Sequence, residues 1–271
     1  MQDAHSTNPT PSATSHDIQS RGKLTPIAAE KKLGVLLLHG FTSSLDAVSG
    51  LVPHLEAHHI EYEMPVLRGH NSKPEDLRGV TAEDWYTDAF NALKKLSERV
   101  DQVVVIGLSM GGLVALHLCI REHALKNKIC ACITWAAALG FCNPLAWLAK
   151  PLSLFIPNWK GQESFHDPEC RKNNHNYQTF PTKAFVELYD FAAKTRTMLD
   201  DISVPLCIIH SKRDQVVPYK TALMLYHEAG NATCELHSLR TSGHELGQDS
   251  EAETVFHITM DYIDRLTHTA P

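Results

Sequence analysis

The sequence has no Cys-x-x-Cys pair, no basic run, no internal repeat and no Gly-x-Gly-x-x-Gly turn. The first absence removes the spacing used by thiol redox enzymes and zinc ribbons. The seven cysteines, at positions 119, 130, 132, 142, 170, 207 and 234, are odd in number, and several sit inside apolar runs. They read as free thiols in a reducing compartment, so the expected location is cytoplasmic. With 25 Lys and Arg against 31 Asp and Glu, the net charge is −6, and nothing here makes an electrostatic footprint for nucleic acid. The missing glycine fingerprint excludes that form of dinucleotide binding. Metal-ligand spacing is absent too. His58-His59 reads as a helix end, Cys130-Ala-Cys132 as one face of a strand, and no metal is expected.

Large apolar side chains are few in residues 1–27, which are rich in Ser, Thr, Pro, Asn and His. Such a segment buries too little surface to order itself and reads as a flexible arm. It has no apolar h-region of a secretory signal. Charge is missing from Ile129 to Ala149, a stretch long enough for a membrane span. Gly140, Asn143 and Pro144 in its second half point instead to a buried strand followed by an apolar loop or cap, so no stable membrane insertion is expected.

What remains is ordinary globular usage, 43% hydrophobic and 21% charged. Short continuous apolar runs stand at Gly34–His39, Val103–Ile106, Ile129–Thr134 and Leu206–Ile209. Continuous rather than alternating runs suit strands covered on both faces, as in a parallel sheet. Helical patterns lie between them. Thr81 with Asp84 nearly forms a capping box, and Trp85, Ala89, Leu93, Leu96 and Val100 then keep one apolar stripe. The reading is an α/β fold, a mostly parallel central sheet with helices on both faces. Residues 28–271 form one domain. Its strand–helix rhythm is interrupted at about 138–195 by a proline- and aromatic-rich cap insertion.

Gly107-Leu-Ser109-Met-Gly111 follows one apolar run and opens a helical one. This is Gly-x-Ser-x-Gly in the strand–turn–helix context that lifts a serine hydroxyl above a sheet. A serine needs a base, and the base an orienting acid. Asp214 follows the run Leu206–His210 and His244 follows Cys234–Leu239, so both fall just past strand ends, on the carboxyl edge where open α/β sheets place their sites. Asp200 and Asp201 precede a strand, and His237 lies within one, so they are weaker rivals. Two N–H donors for an oxyanion are expected from Met110, the residue after the serine, and Phe41, in the turn after the first clear strand.

Leu38-His-Gly-Phe-Thr42, Arg68-Gly-His70, Gly107-Leu-Ser-Met-Gly-Gly112, Asp214-Gln-Val-Val-Pro218 and Ser-Gly-His244 occur in this order. Together they resemble the bacterial carboxylesterase and monoacylglycerol lipase family of α/β-hydrolases, from about residue 31 to the C-terminus and most weakly in 138–180. The resemblance implies Ser109 as nucleophile, His244 as base, Asp214 as its partner, Phe41 and Met110 as oxyanion donors, and a small mobile cap. The sequence departs from the family's Gly-His-Gly at Asn71.

The expected activity is serine carboxylesterase action on short- to medium-chain acyl esters through an acyl-enzyme, with monoacylglycerols among the candidate substrates. No cofactor is required. Alternatives are a thioesterase or amidase using the same triad, or a catalytically silent binding protein. Phe41, Phe141, Leu145, Leu148, Leu152 and Phe155 are expected to line the acyl site. Through the cap, transient contact with a lipid surface is expected.

Overall fold

The computed structural model describes residues 16–28, 30–121, 125, 127–230 and 232–267. Its strands are β1 (Asp17–Arg21), β2 (Leu33–Leu38), β3 (Glu61–Glu63), β4 (Gln102–Leu108), β5 (Ile129–Trp135), β6 (Asn158–Lys160), β7 (Thr179–Pro181), β8 (Leu206–Ser211) and β9 (Cys234–Leu239). Its α-helices are α1 (Asp46–Ser49), α2 (Val52–Ala57), α3 (Ala82–Ser97), α4 (Met110–Arg121), α5 (Ala149–Leu152), α6 (Thr182–Arg196), α7 (Lys220–Glu228) and α8 (Ala252–Thr267).

Seven strands form one sheet in the order β1-β9-β8-β5-β4-β2-β3. Every neighbouring pair is parallel except β1 with β9. All of β2 and β4 is buried, which is why both read as unbroken apolar runs. Leu36, Leu38, Val103 and Val105 face one core, with residues of α3, α4, α6 and α7. Val35, Leu37, Val104 and Ile106 face the other, with residues of α1 and α8. The α/β-hydrolase expectation holds.

From β2 the chain runs outward to β3, then returns to β4 and continues through β5, β8 and β9 in the other direction. The switch point therefore lies between β2 and β4, and ligand crevices open there at the carboxyl ends of the strands. Thr81 and Asp84 complete a reciprocal capping box that starts α3. Residues Met110–Cys119 of α4 are all buried. That depth depends on Gly112, where a Cβ would lie 2.8 Å from the Ala137 Cβ.

Two boundaries differ from the sequence reading. Residues 1–15 of the expected arm lie outside the described residues, but Asp17–Arg21 is an edge strand paired antiparallel with β9. With three of its five side chains exposed, it carries no apolar signal. Backbone pairing and ion pairs hold it instead: Asp17 with Lys212 and Arg240, each at 2.6 Å, while the Arg21 guanidinium donates to the Ala229 and Gly230 carbonyls. The second difference is at the insertion's end. Helix α6 belongs to the sheet's helix layer, since Phe191 packs 4.4 Å from the His117 ring of α4 and His117 bonds Thr195 at 3.0 Å. The cap proper ends with β7. The charge-free stretch forms β5, a loop and a 3₁₀ turn that leads into α5, and no helix among the described residues is long and apolar enough to cross a membrane.

Candidate active site

Ser109 ends the path of β4 and precedes α4 with φ of +55°, the left-handed region that a non-glycine residue enters only where its surroundings enforce it. They do so here. Its N–H donates to Trp135 O at 2.8 Å, and its carbonyl accepts from Gly112 and Ala138 at 3.0 and 3.1 Å. A Cβ on Gly107 or Gly111 would run into backbone atoms of the adjoining turn and of β2. The sharp turn thus needs small residues on both sides of the serine.

The Ser109 hydroxyl lies 2.8 Å from His244 Nε2, and His244 Nδ1 lies 2.7 Å from Asp214 Oδ2. These residues are 105 and 30 apart in sequence, and the chain unites them because β4, β8 and β9 all end on one edge of the sheet. Asp214 is held from behind. Its Oδ1 accepts from Val216 and Val217 N–H, each at 2.8 Å, and His210 Nε2 stands 3.3 Å from its Oδ2. Burial alone would raise the Asp214 pKa, but the facing His244 and His210 more than offset it and hold the carboxyl below its usual range. Burial works against a charged His244, yet Asp214 first and Glu245 next raise its pKa above the ordinary value.

Phe41 follows β2 beside the serine, since a Cβ on Gly40 would lie 3.3 Å from the Ser109 Cβ. The loop is pinned by His39, which sequence reading passed over. His39 Nδ1–H donates to Gly40 O at 2.9 Å, and its Nε2 accepts from Leu67 N–H at 3.0 Å. Both ring nitrogens are used by a neutral imidazole, and burial pushes the His39 pKa down to about 4. In a trans peptide the Phe41 N–H points opposite to Gly40 O, so His39 fixes that donor's direction. Met110 is the first residue of α4, and its N–H has no intrahelical acceptor. His70, in the Arg68-Gly-His70 turn, backs the Phe41 ring at 5.9 Å. Asn71, where the family pattern has glycine, adopts φ of +54°, a left-handed conformation that asparagine tolerates.

A cavity of about 350 Å³ opens over Ser109 and His244. Its apolar wall is Phe41, Phe141, Trp159, Phe180, Phe185 and Leu188; its polar wall includes Asn143, Gln162, Glu163, Asn176, Gln178 and Glu245. Glu245 is buried, which raises its carboxyl pKa, and its Oε1 accepts from Asn176 at 2.7 Å.

The family model described as serine aminopeptidase, S33, of the Hydrolase_4 group matches residues 29–251. The chain belongs to this family. The chain is 24% identical over 233 residues to a carboxylesterase of Bacillus subtilis (strain 168), covering 86% of this chain and 92% of the relative. It is 27% identical over 240 residues to a thermostable monoacylglycerol lipase of Bacillus sp. (strain H-257), covering 88% and 93%. Among solved structures, a metagenome-derived lipolytic enzyme from the LipS and LipT work superposes with a TM-score of 0.79 at 23% identity, covering 92% of this chain and 97% of that one. A soluble variant of the Saccharomyces cerevisiae monoglyceride lipase gives 0.72 at 19% identity, covering 97% and 100%. Those likenesses show the α/β-hydrolase fold.

In this S33 hydrolase the expected acyl-site residues separate. Phe41 and Phe141 line the cavity over Ser109, whereas Leu145, Leu148, Leu152 and Phe155 do not. The limb that carries them is short, and it buries Ala146 and Ala149 rather than its larger side chains. Leu148 and Leu152 are half-buried, and Leu145, Trp147, Leu154, Phe155 and Ile156 stand exposed, Phe155 at 83%. Trp159 and Phe180 take the expected place because β6 and β7 pair as a hairpin over the site. Each of those strands has three residues, too few for a periodic signal. Asp200 and Asp201 lie in a 3₁₀ turn before β8, and His237 bonds Glu235 at 3.3 Å within β9. None of the three lines the cavity.

Proposed function

We propose that this hydrolase is a serine carboxylesterase that cleaves short- to medium-chain acyl esters, monoacylglycerols included, through an acyl-enzyme. The observation that carries the reading is the hydrogen-bonded chain Ser109–His244–Asp214 at the floor of a half-apolar cavity, at 2.8 and 2.7 Å. The esterase and lipase names of the two Bacillus relatives support it.

The Ser109 hydroxyl donates to His244 Nε2, so the imidazole can take that proton as the oxygen attacks the ester carbonyl. Asp214 accepts the Nδ1–H, fixes the tautomer and stabilises the imidazolium. The Phe41 and Met110 N–H groups receive the oxyanion. His244 Nε2–H then protonates the departing alcohol oxygen. Water gives a proton to the same nitrogen and attacks the acyl carbon; the bond to Ser109 Oγ breaks, His244 returns the proton to that oxygen, and the acid leaves. The acyl chain packs against Phe141, Trp159, Phe185 and Leu188. The exposed apolar limb from Leu145 to Ile156 supplies transient contact with a lipid surface.

Two measurements test this together: fluorophosphonate labelling of Ser109, and kcat/KM across esters of rising acyl length with monoacylglycerols in the series. Labelling with turnover of these esters is expected. Absence of labelling, or turnover confined to thioesters or amides, would replace the ester reading.

A further inference from the structure

The Arg240–Glu245 loop, which carries His244, leaves β9 and runs toward α8. Two buried carboxylates from the approach to α8 hold it. Glu251 accepts from the backbone N–H groups of Arg240 at 3.2 Å and of Thr241 and Ser242 at 2.7 Å. Asp249 is 3% exposed and accepts from four backbone N–H groups. Its Oδ2 takes Gly243 and His166, both at 2.6 Å; its Oδ1 takes Asp167 at 3.1 Å and Ser250 at 2.8 Å.

The donors come from two places distant in sequence. Gly243 precedes His244, whereas His166 and Asp167 belong to the cap. Other bonds run alongside: Ser164 O accepts from His244 N–H at 2.6 Å and from Glu245 N–H at 3.3 Å. The two backbones approach so closely that a Cβ on Gly243 would lie 2.5 Å from Ser164 O and 2.8 Å from His166 N. Only glycine fits there. These bonds tie the Ser164–Asp167 segment of the cap to the loop that carries His244.

We infer that Asp249 is a positioning residue for His244: its carboxylate clasps the cap segment Ser164–Asp167 to the Gly243–His244 loop and so sets where the imidazole stands between Ser109 and Asp214. The inference rests on the reading of His244 as the base. Asp249 touches no reacting atom and acts through Gly243. A carboxylate suits the task because both of its oxygens accept and neither donates. An asparagine would keep one such oxygen and turn an NH₂ toward two N–H donors, so it should restore part of what alanine loses.

The test uses the full chain with Asp249→Ala, Asp249→Asn and, as a control for lost stability, Leu93→Ala, a core truncation in α3. Three quantities are read in each: the thermal midpoint, kcat and KM on a soluble acetate ester, and the low-field proton resonance of His244 Nδ1–H. In Asp249→Ala we expect kcat to fall about 10²-fold with KM close to wild type, as for a misplaced catalytic group. The Nδ1–H resonance should broaden or shift, and Asp249→Asn should recover part of both. Leu93→Ala should lose stability without moving the resonance or kcat. A folded Asp249→Ala with wild-type kcat and resonance overturns the inference, as does a control that moves both equally. Should Asp249→Ala fail to fold, Asp249→Asn decides alone, and wild-type behaviour there overturns the inference. Ser109→Ala separates the two claims: full turnover in that variant would sink the base reading, whereas its loss leaves Asp249 to be judged on its own result.

Discussion

At the scale of single residues, the proposed triad makes firm demands. Ser109→Ala should fold normally, since alanine fits the small elbow, and lower kcat by about 10⁴–10⁶ on any ester. Steady-state assay of a variant free of wild-type enzyme checks this; retained turnover would remove Ser109 from the mechanism. Rate should also depend on pH in a direction the site dictates. As the proposed base, His244 acts only when neutral, so kcat/KM should fall as pH drops through its pKa. Asp214 and Glu245 raise that pKa against the effect of burial. The acid limb should therefore have its half-point above the ordinary histidine value of about 6.5. Asp214→Asn removes the first of these charges, leaves burial dominant, and should move the half-point down while kcat falls by about 10⁴. A pH–rate profile in which the half-point does not move would show that Asp214 does not act on His244. At Phe41 the expected role belongs to the backbone. Phe41→Ala keeps the N–H and should retain most of kcat. It loses ring packing on Phe180, His70 and Trp85 at 5.1 to 5.9 Å, and with it some stability. Phe41→Pro removes the donor and should cost about 10²–10³ in kcat. Equal losses in the two variants would assign the effect to the ring.

At the scale of elements, the cap divides into two limbs with different work. The β6–β7 hairpin brings Trp159 and Phe180 over Ser109, and α6 supplies Phe185 and Leu188 to the same cavity. Each methylene buried against this wall should contribute up to about 0.8 kcal/mol, near fourfold in kcat/KM, until the cavity is filled. Trp159→Ala should therefore lower the ratio of medium-chain to acetate kcat/KM. Phe155→Asp, on the exposed limb, should leave that ratio as it is and weaken sedimentation with liposomes. The opposite pattern would move the acyl wall to the outer limb. The sequence reading placed the acyl contacts on Leu145, Leu148, Leu152 and Phe155 because that limb is the more apolar by composition. Composition cannot tell which face of a short helix turns inward, and here the face with Ala146 and Ala149 is the one buried.

At the scale of the whole molecule, β1 closes an otherwise open edge beside β9. Deleting residues 1–22 would expose that edge and strand Lys212 and Arg240 without Asp17. We expect a loss of about 1–2 kcal/mol, a few degrees in Tm, with kcat at 25 °C nearly intact. A melt unchanged by the deletion would show that the strand adds nothing to stability. The sequence by itself determined the parallel sheet, because β2, β4, β5 and β8 are buried almost throughout and each carries a continuous apolar run. It also singled out Ser109, Asp214 and His244: the first two follow strands whose ends are legible as breaks in apolar runs, and His244 stands in a Ser-Gly-His turn just past Cys234–Leu239. Only the tertiary structure decided the rest. The edge strand Asp17–Arg21 and the β6–β7 pair are held by backbone hydrogen bonds, and the hold of His39 on Gly40 and Leu67 and the Asp249 clasp each join one side chain to backbone groups. Such bonds use N–H and C=O groups that nearly every residue carries, so they leave little trace in side-chain pattern and become visible only when the chain has closed on itself.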